Sequence, residues 1–380
     1  MKKIQDLKLK GKNVLVRCDF NVPLSKEGKV LDDFRIEQAL PTIKYLIEKE
    51  ARVILMSHLE TKEKTFSLKL LIPLLEELLG KKIQFFPSYL KKDTRKKIDS
   101  IGPDCVALLE NLRFHKEEKE NDKDFAKKIS ELGDVFVNEA FSSCHRSHAS
   151  IVGIPEYLPA VPGLLLEKEI RVFSNILKKP KRPFVAIIGG IKIGTKIKTI
   201  LNILKVADHL LLSSKMGEVF FAQKKLIVGR DIAEEKLVEQ IDIANTKLHL
   251  PLDGMIALRD LKENYLRIGG IGTLRKEESV FDIGPESIKS FKEVIKKAKT
   301  ILWNGPMGMY ENEKFEKGTK EIAKAITRNH TALKVVGGGE TVSAIKKFNL
   351  TKRFDFLSTG GGAMLAFLAG EKLPGIKVLH

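Results

Sequence analysis

Short apolar runs alternate with amphipathic stretches along most of the chain, and that rhythm by itself predicts a parallel α/β fold. NVLVRCDF (13–20), RVILMSH (52–58), KIQFFP (82–87), CVALLEN (105–111) and DVFVNEAF (134–141) are dense in β-branched and aliphatic residues and read as buried strands. Between them, DFRIEQALPTIKYLIEKE, SLKLLIPLLEELLG and DFAKKISELG repeat apolar residues at i, i+3 and i+4, the spacing of one helix face. Strand, helix, strand at this interval implies a parallel sheet with helices on both faces. The pattern resumes after Pro183 with FVAIIGG (184–190), HLLLSS (209–214), KLHLPLD (247–253), KTILWNG (299–305), ALKVVGGG (332–339) and FDFLSTGG (354–361). The intervening PGLLLEKEIRVFSNILKKPKRP (162–183) reads as one amphipathic linker helix, bounded by prolines at each end. The expectation is two doubly wound, Rossmann-like domains joined by a helix.

Composition narrows the class. With 380 residues, 43% hydrophobic and 31% charged, the chain has room for two ordinary domains with separate cores. The net charge of +18 comes chiefly from lysine, 53 of 67 basic residues against 14 arginines. Those lysines are dispersed and often alternate with glutamate, as in KEEKENDKDFAKK, which marks solvated helix faces. Nucleic-acid binding would call for clustered basic residues interleaved with aromatics, and aromatics are only 7%, so no nucleic-acid partner is expected. Cys18, Cys105 and Cys144 show no metal-ligand spacing and read as reduced thiols. No run approaches the length of a membrane span, and the start lacks a secretory apolar segment, so a cytoplasmic protein without membrane contact is expected.

The chemistry-bearing residues differ between the halves. Ligands of open parallel sheets bind beyond the carboxyl ends of the strands. In the first half those positions carry Asp19 and Asn21, His58, Arg113, and His145 with Arg146, while Arg35 comes from the loop before a helix. A planar guanidinium suits carboxylate and phosphate, and arginine is the scarcer cation here, so this half reads as a small-anion site. In the second half glycine clusters end at Gly190, Gly339 and Gly362. GGIKIGTKI (189–197) is expected to put Lys192 and Lys196 on one helix face, four residues apart. VVGGGETVSAIKKF (335–348) reads as strand, glycine turn and helix, with free N–H groups at Gly338 to Thr341 facing an oxyanion or phosphate. It is not a GxxxxGK[ST] loop.

These stretches together resemble the phosphoglycerate kinase family nearly end to end. The resemblance rests on RCDFNVPL, DDFRI, SHL, LLENLRFHKEE, VNEAFSSCHRSHAS, AIIGGIKIGTKI, LPLD, DIGPES, WNGPMGMYE, FEKGTK and VVGGGETV. It implies a 3-phosphoglycerate domain (1–162), a hinge helix (163–180), a magnesium–nucleotide domain (181–362) and a tail returning to the first domain (363–380). It further implies reversible phosphoryl transfer between ATP and the 3-phosphoglycerate carboxylate in a monomeric glycolytic enzyme. By motif match, Asp19, Asn21, Arg35, His58, Arg113 and Arg146 would hold the acid. Arg35, Lys192, Lys196, Gly338 and Gly339 would be catalytic. Gly189, Lys196, Asn304, Glu311, Gly338, Gly339, Glu340 and Thr341 would hold nucleotide, with Glu340 near magnesium, directly or through water.

The chain departs from the family pattern at four places. SHLGRP reads SHLETK, so Thr61 replaces a phosphate-contacting arginine, with Lys62 or Lys64 as candidate substitutes. A triple glycine beside the adenine pocket reads Ser213-Ser214-Lys215. Glu340 replaces aspartate, and Thr195 replaces an acid before the second lysine. The alternative these changes raise is a catalytically impaired homologue acting as a ligand-binding protein.

Overall fold

The computed structural model describes residues 2–61, 63–227, 238–242, 244–261 and 265–379. Two compact units emerge, Met1–Val172 with Lys372–His380, and Phe173–Glu371.

In the first unit six strands form one parallel sheet: β1 Asn13–Arg17, β2 Arg52–Met56, β3 Lys82–Phe86, β4 Cys105–Leu109, β5 Val135–Asn138 and β6 Ala160–Pro162. Their order is β3-β4-β2-β1-β5-β6. All five residues of β1 are buried, the continuous pattern required of a central parallel strand covered on both faces. Edge strand β3 alternates instead. The connecting helices are α1 Phe34–Glu48, α2 Ile72–Leu79, α3 Thr94–Asp99, α4 Lys116–Glu120 and α5 Lys123–Ser130. Gly80 stops α2 in a left-handed conformation (φ 63°), and Asp122 caps α5 by accepting the Phe125 N–H at 2.8 Å. The linker expected over 162–183 is helix α6, Leu164–Lys178. Its first turn is held by Glu139, which accepts the N–H groups of Leu165 (3.1 Å) and Leu166 (3.3 Å). The boundary between the units falls inside α6.

The second unit has a six-stranded parallel sheet ordered β15-β14-β13-β7-β8-β9. Its strands are β7 Phe184–Ile188, β8 His209–Leu212, β9 Leu248–His249, β13 Thr300–Asn304, β14 Leu333–Gly337 and β15 Phe356–Ser358. Its helices are α7 Ile197–Val206, α8 Ser214–Gln223, α9 Pro285–Lys297, α10 Lys317–Arg328, α11 Gly339–Lys347 and α12 Gly362–Leu368. A three-stranded antiparallel sheet, β11-β10-β12, escaped the sequence reading: β10 Asp253–Leu258, β11 Leu266–Gly270 and β12 Glu278–Ile283. Its strands mix polar and apolar residues, so no single run announces them. The strand expected over 247–253 is cut to two residues because Pro251 has no N–H for the ladder.

Residues 363–371 group with the second unit and the segment from Lys372 with the first, where α13, Pro374–Lys377, lies. There Gly375 N–H donates to the Cys144 carbonyl at 2.9 Å. No helix among the described residues is long and apolar enough to cross a membrane.

Both parallel sheets reverse their winding once, between β1 and β5 in the first and between β7 and β13 in the second. Such a switch point opens a crevice at the carboxyl edge, because the flanking loops depart in opposite directions.

Candidate active site

In the first unit the crevice is lined by the residues that follow β1, β2, β4 and β5. Asp19, buried, accepts the Asn21 N–H at 3.1 Å and receives the Ser142 hydroxyl from the loop after β5. Its Oδ2 lies 3.0 Å from Arg35 Nη1, which also donates to the Asn21 carbonyl at 3.0 Å. Burial alone would raise the Asp19 carboxyl, but the Arg35 charge and the Ser142 hydroxyl outweigh it and hold it below its ordinary range. The Asn21 side chain accepts the Glu60 N–H at 2.8 Å, tying the loops after β1 and β2 together.

Cationic groups crowd the same edge. Arg17 is fully buried and donates to Ser150 Oγ at 2.8 Å, with its Nη2 3.2 Å from His58 Nδ1. Arg113 Nη2 is 3.2 Å from His148 Nδ1. Burial, then the Arg17 charge, pushes His58 well below the ordinary histidine range. Burial, then Arg113 and Arg146, lowers His148 to about 3. Two neutral imidazoles among four guanidiniums describe a field that repels further protons and attracts an anion.

Three partners in this cluster escaped sequence reading. Arg17 lies inside a strand and looked like core, Glu118 looked like a solvated helix residue, and His148 was quoted only within a longer motif. Glu118, fully buried, accepts from Ser150 N at 2.9 Å and lies 3.5 Å from Arg113 Nη1. Glu60 lies against two cations of this edge, 3.0 Å from Arg113 Nε and 3.3 Å from Lys119. Thr61 heads an exposed turn, its N–H bonded to the Lys64 carbonyl at 2.8 Å. Lys64 lies over the Phe66 ring at 5.1 Å, so it does not reproduce the fork of an arginine. Lys62 lies outside the described residues. His145 and Arg146 are half-buried on the turn after β5.

In the second unit the expected shared helix face for Lys192 and Lys196 is corrected. Both precede α7, on an irregular turn in which the Thr195 hydroxyl donates to the Lys192 carbonyl at 3.0 Å. The glycines at 189, 190 and 194 make helix costly here. Lys192 is exposed, whereas Lys196 is buried and its ammonium donates to the Gly189 carbonyl. Burial lowers Lys196 to about 8, with Glu340 acting in the opposite sense.

Glycine is required around this turn. A Cβ at Gly189 would run into the carbonyls of Pro306 and Gly305. Gly190 has φ +89°, and a Cβ there would sit 2.7 Å from Lys196 Nζ and 3.7 Å from Glu340 Oε2. Gly338 (φ +94°) is the residue before α11, whose first N–H groups are those of Gly339, Glu340 and Thr341. Asn304 donates to the Gly337 carbonyl at 3.0 Å, and Thr341 Oγ1 accepts the Gly305 N–H at 2.6 Å. These bonds fix the glycine turn, leaving the amino end of α11 beside Lys196 and Glu340.

A cavity of 660 Å³ opens next to this turn, with Gly190, Ser213, Lys215, Met307, Glu311 and Glu340 in its wall. Ser214 also lines it, but its hydroxyl donates to the Met307 carbonyl at 2.9 Å, so the added side chains have not closed the space. The volume suits a nucleoside with part of its phosphates.

Comparison with known proteins agrees with this geometry. A family model described as phosphoglycerate kinase matches residues 4–371. The chain is 43% identical to the phosphoglycerate kinase of Dictyoglomus turgidum, over 99% of this chain and 98% of that one. It is 43% identical to that of Leptospira biflexa, over 99% and 97%. Among solved structures it resembles phosphoglycerate kinase from Coxiella burnetii (TM-score 0.84, 36% identity, 100% and 98% covered). It also resembles the enzyme from Pyrococcus horikoshii (TM-score 0.87, 31% identity, 100% and 98% covered). With nearly the whole length matched in sequence and in fold, the chain belongs to the phosphoglycerate kinase family.

Proposed function

We propose that this chain transfers a phosphoryl group reversibly between ATP and the carboxylate of 3-phosphoglycerate, giving ADP and 1,3-bisphosphoglycerate. The supporting observation is that each unit gathers its cations at the switch point of a parallel sheet: guanidiniums in the first, and in the second a buried lysine beside a helix amino end. The first unit takes the acid and the second the nucleotide, with residues 163–180 as hinge. Asp19, Asn21, Arg35, His58, Arg113 and Arg146 hold 3-phosphoglycerate. Neutral His58 donates or accepts one hydrogen bond and adds no charge.

No covalent intermediate or general base is needed, because the acceptor carboxylate is already ionised at neutral pH. The moving phosphoryl group passes between two oxygens in line, spreading charge over its equatorial oxygens. Arg35, Lys192 and the N–H groups of Gly338 and Gly339 stabilise that charge. Lys196 holds the nucleotide phosphates, Gly189 and Thr341 place them, and Asn304 and Glu311 line the phosphate and ribose side of the nucleotide. Glu340 is a carboxylate beside this turn, and no cluster of three His, Cys, Asp or Glu residues suited to a metal occurs among the described residues. That donor set fits magnesium carried on nucleotide phosphates, which Glu340 would hold directly or through water. Bound magnesium neutralises phosphate charge. A cytoplasmic, monomeric enzyme follows from the same family reading, and nothing favours an impaired binding protein.

The test is a coupled assay of acyl phosphate formation from ATP, magnesium and 3-phosphoglycerate, each titrated separately. Saturable turnover is expected. Folded protein that binds 3-phosphoglycerate yet makes no acyl phosphate would sink the proposal.

A further inference from the structure

Outside the nucleotide cavity, two histidines meet on the pair of strands at one edge of the second parallel sheet. His209 opens β8, and His249 ends β9, the two-residue strand at that edge. The strands run parallel with Leu211 opposite His249, so His209, two residues before Leu211, projects on the same face as His249. His209 Nδ1 lies 2.9 Å from His249 Nε2, and the ring centroids are 5.0 Å apart. Both residues are half-buried and neither lines the cavity. Among the described residues, neither ring makes another hydrogen bond. Lys247, two residues before His249, gives its ammonium to the Leu204 carbonyl at 3.2 Å.

A neutral imidazole carries one N–H and one lone-pair nitrogen. In this pair one of the facing nitrogens donates to the other. Moving the donor's proton to its own outer nitrogen breaks no other bond within the protein and presents two lone pairs 2.9 Å apart. Imidazole nitrogen is a favoured ligand of nickel, copper and zinc, whereas magnesium takes oxygen. With metal–nitrogen bonds of about 2.0–2.1 Å, this separation closes an angle of about 90° at the ion. That is the cis angle of a tetragonal or octahedral ion; a tetrahedral ion would want the nitrogens about 3.3 Å apart. No third His, Cys, Asp or Glu completes a cluster among the described residues, so water would fill the remaining positions.

We propose that His209 and His249 together bind a divalent transition ion, nickel(II) or copper(II) ahead of zinc(II), which clamps β9 onto β8. The experiment is calorimetric titration of the full-length protein, without nucleotide, with nickel, zinc and magnesium chlorides. It is run at about pH 7.5, where imidazole is in its neutral ligand form. One saturable nickel site is expected, binding nickel more tightly than zinc and leaving magnesium unbound. Saturating nickel should also raise the melting temperature, because the ion binds a site that only the folded chain assembles. His209→Asn and His249→Gln each put an amide near the lost nitrogen, a poor ligand for these ions. Each should weaken nickel at least about tenfold, since even an outer partner of a metal ligand is worth that much, and abolish the melting shift. The variants lie on different strands, so if one folds poorly the other decides. Absence of saturable nickel binding overturns the proposal. So does wild-type nickel affinity in a folded variant, which would place the ion elsewhere, or a preference for zinc in the binding component that the variants remove.

Discussion

Arg35 Nη1 stands 3.0 Å from Asp19 Oδ2 and 3.0 Å from the Asn21 carbonyl, which locks a guanidinium at the start of α1 onto the loop after β1. The side chain is nonetheless 30% exposed, so part of its fork remains for a ligand. Asp19 places the charge and the ligand would use it. Arg35→Ala should therefore lower kcat by about 10²–10³-fold, the range for losing one preorganised donor to transition-state charge. The melting temperature should change little, because the group is partly solvated. Steady-state kinetics with a melting curve checks this, and unchanged kcat in Arg35→Ala would remove Arg35 from the transfer step.

Glu60 competes with the anion that Arg113 is proposed to bind. Its carboxyl is held below the ordinary range: burial acts upward, and the Arg113 bond, with Arg113 and Lys119 charges, acts downward more strongly. Glu60→Gln keeps the size and removes the charge. The expected result is a KM for 3-phosphoglycerate lower by several-fold, with kcat little affected, since binding improves in ground and transition states alike. A raised KM would mean that Glu60 positions Arg113 instead of competing for it.

Lys196 gives nucleotide binding a pH dependence. Its ammonium form binds phosphate, and burial lowers it to about 8. ADP affinity should be full below pH 8 and fall as pH rises through that value. Bound phosphate stabilises the ammonium, so the limb in kcat should lie at higher pH than the limb in kcat/KM. Lys196→Met should weaken ADP by roughly ten- to a hundredfold at pH 7 and abolish the limb. Titrations across pH 6–10 decide it, and a limb that persists in Lys196→Met would assign it to another group.

Stability should depend on pH through Glu139, the carboxylate at the start of α6. Burial raises it to about 7, against the downward pull of its bonds from Thr42 and the α6 amides. Because the folded value exceeds the unfolded one, its contribution is complete below about pH 4.5 and is lost as pH rises through about 7. The full shift corresponds to about 3 kcal/mol. Asp282, also raised to about 7 by burial, adds a slope of the same sign. Urea midpoints at pH 5 and pH 8 should differ in that direction, and Glu139→Gln should flatten the difference. An equal slope in the variant would place the titration elsewhere.

Much of this molecule is local information. Strands β1, β2, β4, β7 and β13 were legible because a central parallel strand is a continuous apolar run, and polar followers, Asp19, His58 and Arg113, marked the carboxyl edge of the first sheet. The glycine turns at Gly190 and Gly338 were legible for the same reason: positive φ at a strand end restricts the residue type. The sequence alone thus determined two parallel α/β sheets, the family, and most of the residues at each switch point. Tertiary structure decided what depends on long-range register. It buried Lys196 and left Lys192 exposed, though both are lysines four residues apart. It brought Glu60 from the loop after β2 onto Arg113 from the loop after β4, and Ser279 from β12 onto Lys215 in α8. Charge alternation marks lysine and glutamate as surface by default, and only packing of distant segments withdraws particular ones from water and gives them a partner.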